Sequence, residues 1–362
     1  MRRLSTTHRI NWPGPLLLMV FFCALLAGCG SKSSSTPVRI SGKTMGTFYD
    51  VRFDKLPEGE SEKSVQQKIE TELNRINDLM STWKPDSQLM QFNNSTSTDW
   101  YPVDPDVSKV VGHAIKMSWV TEGRFDVTVG PLVELWNFGV PKEDFHVPTD
   151  EELAAIKDRI GWQLVTTRKI QPALKKSHPQ VFLNLSAIAK GFAVDQVGAV
   201  LEQTGIHNYL VNIGGEMSSR GKKANGELWS VAIEQPTSTA DAAPSVLKAL
   251  PLENMALATS GNYRNFYEDA SGNRYSHTID PRTEKPVTHH LLSASVLAQD
   301  CMQADALATG LMVMGPEEAQ RMGEERDLAI FLVFRTSEEG SQIEWASPRF
   351  EKYLREHDVK VD

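Results

Sequence analysis

Val65, Ile69, Leu73, Ile76 and Met80 recur at spacings of three and four, so one apolar stripe runs along the segment from Ser61 to Trp83. That period predicts an amphipathic helix with Ser61 as its N-cap. Just before it, Phe48 to Phe53 alternates apolar and polar side chains after the turn region of Gly42 and Gly46, the pattern of a half-buried strand. A second helix is expected to open at Asp104 with Pro105 in its first position, turn Val107, Val111, Ala114 and Met117 inward, and stop near Gly123. Thr149 to Glu152 reads as a capping box for a third helix, ending at Gly161. Val181 to Leu185, short and apolar, reads as a strand, followed by a helix from Ile188 to Gln203 that Gly205 can terminate. Further strands are expected at Tyr209 to Ile213, Trp229 to Ile233, Met255 to Thr259, Leu292 to Ala298 and Leu328 to Phe334, the last almost continuously apolar. Gln235 to Ser245, rich in Pro, Ser, Thr, Ala and Asp, reads as a surface loop. Helices and strands intermix throughout, which places the chain in the α/β or α+β class.

The N-terminus departs from this pattern. Arg2, Arg3 and Arg9 precede an apolar run from Leu16 to Leu26 that is too short to span a bilayer, the layout of a signal peptide. The run closes on Leu26-Ala27-Gly28-Cys29, which resembles a bacterial lipoprotein processing site and makes Cys29 the expected lipidated residue; an ordinary secretory signal with a chance cysteine is the alternative. The expected organisation is therefore a signal peptide at 1–28, a lipidated Cys and Ser-rich tether at 29–37, one large domain at 38–350 and a C-terminal tail at 351–362. The chain carries a net charge of −8, and loss of residues 1–28 removes three arginines and no acids, leaving 35 basic against 46 acidic residues. Such a balance speaks against nucleic acid as a partner. Cys23 leaves with the signal and Cys29 is taken by lipid, so only Cys301 remains and no intrachain disulfide can form. An unpaired thiol among apolar residues is more often a buried small side chain than a nucleophile.

Several segments carry candidate chemistry. Asp305 and Thr309 sit four apart in a segment that reads as helix, so a carboxylate and a hydroxyl share one face as hard oxygen ligands suited to Mg²⁺. His277-Thr278-Ile279-Asp280-Pro281-Arg282-Thr283 bends at Asp-Pro and presents His277, Asp280 and Arg282 beside a turn able to hold a phosphate-bearing ligand. Asn184 to Gly191 lies where a strand is expected to give way to a helix, a place that favours anions, and Lys190 adds a positive charge. Asn212-Ile213-Gly214-Gly215-Glu216 ends a strand in paired glycines that let backbone approach a ligand. Ala258 to Arg264 ends another, with hydroxyl and amide donors and a guanidinium beside Gly261. Each segment alone reads as an ordinary turn; the repetition at strand ends is what chance explains poorly.

These segments, the one with Lys190 taken from Ala187 to Asp195, together with Thr44 to Tyr49 and Gly123 to Thr128, occur in an order that resembles the FAD:protein FMN transferases of the ApbE family, over about 40 to 335. The resemblance implies a single large T-fold-like domain with mixed sheets and flanking helices, in which 38–350 is catalytic. It implies Mg²⁺-dependent transfer of the FMN half of FAD to a Ser or Thr hydroxyl of another protein, with release of AMP. The implied acceptors are flavin-carrying subunits of membrane redox complexes of the sodium-pumping quinone reductase and Rnf type, served by a lipoprotein facing the periplasm. By the same resemblance Asp305, Thr309 and the carbonyl of Ala187 hold Mg²⁺. Met45, Trp83, Phe125, Asp126, Val127, Asn184, Lys190, Gly214, Gly215 and Ile279 line the FAD site, with Ser260, Gly261, Asn262, Tyr263 and Arg264 near the adenine or phosphates. His277 and Asp280 flank the reacting phosphoryl group. Trp83, following an amphipathic helix, reads equally well as core. Asn184 departs from the family, which commonly has Asp there; the hydrogen-bonding shape is kept and one charge is dropped.

A divalent cation on the diphosphate lowers its repulsion of an incoming hydroxyl and prepares AMP to leave, with Lys190 or Arg264 sharing the task. The base is His277, with its value near neutrality, or Asp280. Two rivals use the same residues: an FAD pyrophosphatase in which water replaces the acceptor hydroxyl, and a flavin-binding lipoprotein without chemistry.

Overall fold

The computed structural model describes residues 36–139, 146–236, 245–262, 266–268, 274–337 and 340–359. The expected signal peptide, Cys29, most of the tether, the centre of the loop predicted at Gln235 to Ser245, and Tyr263 and Arg264 lie outside the described residues.

The frame is an eight-stranded sheet. Its strands are β1 (Val38–Thr44), β2 (Thr47–Phe53), β3 (Tyr209–Ile213), β4 (Glu216–Arg220), β5 (Ala256–Gly261), β6 (Leu291–Ala298), β7 (Ala329–Arg335) and β8 (Gln342–Ala346), and they lie side by side in that order. Every pairing is antiparallel, so of the two expected classes α+β is the one realised. Alternation along the strands divides the side chains between two cores. Val211, Ala258, Val296, Ile330 and Leu332 face a large helical layer, while Leu210, Leu257, Leu297, Phe331 and Val333 face the other side. That second side is closed by a hairpin of Trp229–Glu234 and Val246–Leu252 and by a C-terminal helix, Pro348–Glu356. With both faces covered, β7 has no polar side, which accounts for its continuous apolar run. The C-terminal helix crosses the boundary expected at 350 and buries Phe350 and Leu354.

Helix α1 (Glu62–Met80) buries the five residues of its stripe, and Ser61 caps it as expected. Helix α2 (Pro105–Val120) starts from Asp104, whose side chain accepts from the Asp106 amide. Helix α3 (Ala189–Gln203) is followed by Gly205 at φ +90°, a left-handed backbone that suits glycine. Helix α4 (Cys301–Met314) is enclosed almost all round, lying against β5, β6 and α3. An enclosed helix is built of small and apolar residues, so its one carboxylate, Asp305, is conspicuous.

Two expectations change. Thr149 and Glu152 form the capping box, but the helix runs only from Asp150 to Ala154 before a 3-10 turn at Lys157–Arg159. Val181 to Leu185 is not a strand. Its backbone groups are taken by side chains and a loop: Asn93 receives the Leu183 amide at 2.8 Å and donates to the Leu183 carbonyl at 2.9 Å. Lys176 Nζ donates to the Val181 carbonyl at 3.3 Å, and the Asn184 amide donates to the Val127 carbonyl at 2.8 Å. The apolar run records burial of Val181, Leu183 and Leu185, not ladder pairing.

Candidate active site

The crossing of α3 and α4 builds the centre. Gly191 lies against the Cys301 carbonyl, and a Cβ at 191 would clash with that oxygen and come within 2.8 Å of the Asp305 Cβ. The close approach lets the Gly191 amide donate to Asp305 Oδ2 at 2.9 Å. Asp195, one turn further along α3, receives the Cys301 amide at 2.8 Å and the Met302 amide at 2.9 Å, which fixes the start of α4. Cys301 itself is fully buried, and burial pushes its thiol up, so it is core and not a nucleophile.

Lys190 points from the first turn of α3 to Glu216, at 2.6 Å from Oε1, and stands 3.9 Å from Asp305 Oδ1. Burial holds both carboxylates above their usual range: Glu216 is pushed up to about 7, with Lys190 opposing, and Asp305 moves in the same direction. Burial acts against the charge of Lys190, but Asp305 and Glu216 outweigh it and raise its value.

On the next turn of α4, Thr309 Oγ1 lies 3.2 Å from Ser260 Oγ at the end of β5. The Gly191 amide, which would otherwise close a helical turn on the Ala187 carbonyl, is given to Asp305 instead. Among the described residues no group of three or more His, Cys, Asp or Glu is placed to hold a metal. A cation here would rely on the carboxylate of Asp305, the hydroxyl of Thr309 and a carbonyl, an all-oxygen set that fits Mg²⁺. Two buried carboxylates face one ammonium, and among the described residues Glu216 Oε2 is buried without a hydrogen-bond partner.

The other expected residues lie in three groups. Phe125 and Val127 are buried, and Gly310 of α4 packs against Thr121 and Phe125. The Asp126 carboxylate ties its own loop to a distant turn, receiving the Thr128 amide and hydroxyl at 2.8 and 2.7 Å and the Trp162 amide at 2.8 Å. Asn184 Oδ1 accepts from the Ser186 amide at 3.0 Å, which turns the chain toward Ala187.

The second group is a double turn. Gly214 and Gly215 adopt φ of +65° and +110°, and Asn212 Oδ1 accepts from the Gly215 amide at 3.0 Å. The Gly214 amide donates to the Phe48 carbonyl at 3.0 Å, so this turn abuts the β1–β2 hairpin whose tip carries Met45 at φ +49°. Asn77, near the end of α1, reaches Thr44 Oγ1 at 3.3 Å, and Trp83 follows shortly after that helix, 65 % exposed and outside the core.

The third is the segment His277 to Thr283, which is held by a small core of its own: Ile279 packs with Leu132, Trp136 and Leu153, and Trp136 Nε1 donates to the Glu284 carbonyl at 2.8 Å. The Phe138 ring meets His277 edge-on at 6.4 Å between centroids. Both oxygens of Asp280 are engaged: Oδ1 receives the Arg282 amide at 2.9 Å and Nε at 3.1 Å, and Oδ2 receives Nη2 at 2.9 Å. The hydrogen bond to Asp280 raises Arg282, with Glu318 and Glu122 adding to it, so this segment neighbours the loop that leads into Phe125. Ser260 and Gly261 close β5, and the Asn262 amide donates to the Leu292 carbonyl at 3.2 Å. Glu216 and Asp195 are the participants that sequence did not single out. Glu216 was visible only as the end of a glycine turn, and Asp195 only as the last position of a segment that carries the family resemblance.

An antiparallel α+β domain thus brings two buried carboxylates, a lysine and a pair of hydroxyls to one helix crossing, with a glycine turn beside them. The chain belongs to the ApbE family, whose pattern matches residues 45–332. It is 43 % identical over 327 residues to the FAD:protein FMN transferase of Haemophilus influenzae, covering 88 % of this chain and 92 % of that protein. It is 40 % identical to the FAD:protein FMN transferase of Vibrio cholerae over 344 residues, 95 % of this chain and 99 % of the relative. Among solved structures, the flavin transferase ApbE of Vibrio cholerae aligns with a TM-score of 0.79 at 39 % identity, over 88 % of this chain and 99 % of that one. The apo form of the Pseudomonas stutzeri flavinyl transferase ApbE aligns with a TM-score of 0.80 at 31 % identity, over 90 % and 98 % of the two chains.

Proposed function

We propose that this chain is an FAD:protein FMN transferase that moves the FMN moiety of FAD onto a Ser or Thr hydroxyl of an acceptor protein and releases AMP. The observation that carries the reading is the meeting of Asp305, Gly191, Lys190 and Glu216 at one crossing of α3 and α4, in a chain alike over nearly its whole length to proteins named for this activity.

Mg²⁺, held by Asp305, Thr309 and the Ala187 carbonyl, would neutralise the diphosphate and ready AMP as leaving group. Lys190 supplies a fixed positive charge beside it, and the Gly214-Gly215 turn admits the ligand close to backbone. His277 takes the proton of the acceptor hydroxyl, because the Asp280 carboxylate is already committed to Arg282 through both oxygens. The hydroxyl oxygen then bonds to the FMN-side phosphorus, the bridging P–O bond breaks, and AMP departs with that electron pair. Asp280 and Arg282 hold the bend on which His277 is carried.

The acceptors proposed are flavin-carrying subunits of membrane redox complexes of the sodium-pumping quinone reductase and Rnf type. Lipidation at Cys29 would tether the enzyme on the periplasmic side of a bacterial membrane, a reading supported by the run Leu16 to Leu26 and its small-residue ending. No helix among the described residues is long and apolar enough to cross a membrane. Incubating the purified protein with FAD, Mg²⁺ and such a subunit, then reading covalent flavin fluorescence on the acceptor in a denaturing gel, tests the proposal. A fluorescent acceptor band is expected; free FMN and AMP with no adduct would mean hydrolysis instead.

A further inference from the structure

Glu216 has a buried carboxylate paired with Lys190. Its backbone is fixed on both sides, pairing with Ile213 across the glycine turn while the next residue, Met217, pairs with Leu257 on β5. Its carboxylate is therefore delivered to one place. There Oε1 takes Lys190 Nζ at 2.6 Å, and among the described residues Oε2 has no hydrogen-bond partner.

Asp305 is the second carboxylate within reach of the same ammonium, and its two oxygens differ. Oδ2 is held by the Gly191 amide at 2.9 Å. Oδ1 faces Lys190 across 3.9 Å, beyond hydrogen-bond distance. Lys190 thus sits between two acids and is bonded to only one. An ammonium in a largely buried place keeps a counter-charge in contact whenever one can be reached. Without the charge of Glu216, the remaining counter-charge is Asp305, and the oxygen it would close on is Oδ1, the one left open to a metal.

We infer that Glu216 is a positioning residue: it holds Lys190 off Asp305 Oδ1 and so keeps the metal-binding oxygen of Asp305 available. The inference rests on the proposed role of Asp305 as a metal ligand. Glu216 acts through Lys190, not on the cation. Lys190 remains near the diphosphate without competing for the site that the cation needs.

A double-mutant cycle read by metal binding alone tests this. Mn²⁺ is titrated into the purified protein without FAD, and the free ion is counted by its electron paramagnetic resonance signal. The wild type binds and Asp305→Asn does not; equal binding by both would remove the underlying ligand assignment. Given that difference, Glu216→Gln weakens Mn²⁺ binding by about tenfold, within the range of coupling between contacting residues. In a Lys190→Met background the same substitution changes binding by less than about twofold, because no ammonium is left to collapse onto Asp305. Wild-type affinity in Glu216→Gln overturns the inference. So does an equal loss in both backgrounds, which would make Glu216 act by its own charge. Should Glu216→Gln not fold, Glu216→Asp carries the same test, since its carboxylate ends one methylene short of Lys190.

Discussion

Asp195 on α3 holds the first two amides of α4, receiving Cys301 N at 2.8 Å and Met302 N at 2.9 Å. The helix that carries Asp305 and Thr309 is therefore started by a side chain from the helix that carries Lys190. Replacing Asp195 by Ala leaves both amides without this acceptor and is expected to cost about 1–2 kcal/mol of stability, measured by urea unfolding.

The same carboxylate sets a pH dependence. Burial pushes Asp195 up from 3.8 to about 6, with the two amides opposing. The folded state then holds the proton more tightly than the unfolded chain, so the contribution of this group is greatest below pH 3.8 and is lost as pH rises to about 6. The stability difference between wild type and Asp195→Asn should therefore shift against the wild type across that window. A difference that stays flat between those two values would show that Asp195 does not titrate there.

Gly191→Ala tests the helix crossing. The added Cβ meets the Cys301 carbonyl oxygen and would lie 2.8 Å from the Asp305 Cβ, neither of which is a flexible end that can swing aside. Overpacking of this kind costs about 1–3 kcal/mol, and moving α4 should also remove flavin transfer. A melting temperature and activity like those of the wild type would show that the crossing has slack.

The proposed mechanism makes His277 the base and gives Asp280 the task of holding its bend. His277→Asn should lower kcat by about 10²- to 10⁴-fold, the usual contribution of a general base. Asp280→Asn weakens the Arg282 pairing and should cost less. The reverse order in steady-state kinetics would transfer the base to Asp280.

Lys176 is fully buried, and its ammonium donates to the carbonyls of Phe92, Asn93 and Val181 at 3.2, 3.1 and 3.3 Å. Met at this position fills the space but leaves three acceptors without their donor. A loss of about 1–3 kcal/mol is expected, and calorimetry of Lys176→Met would measure it. An unchanged melting temperature would mean that those carbonyls find other donors.

How much of this was legible in the chain follows from where each residue spends its bonds. The stripe Val65 to Met80, the caps Ser61 and Asp104, and the apolar run of β7 are local signals, and the elements they predict are present. β4 gave no such signal because Glu216, Ser218 and Ser219 are polar and yet buried; its place in the sheet is set by neighbours on both sides, and Ser219 Oγ donates to the Leu252 carbonyl at 2.5 Å. Val181 to Leu185 misled in the opposite sense, since burial by long-range partners produces the same apolar run as a strand. In the site, the Asp305–Thr309 spacing was readable because both residues share one helix face. The pairing of Lys190 with Glu216 joins positions remote in sequence, and no local pattern announces it.

The most direct test of the central claim is mass spectrometry of an acceptor subunit incubated with FAD, Mg²⁺ and either the wild type or a folded Asp305→Asn variant. The account predicts a covalent FMN adduct on a Ser or Thr of the acceptor with the wild type and none with the variant. Equal labelling by the two proteins, with Mg²⁺ as the sole divalent cation, would contradict it.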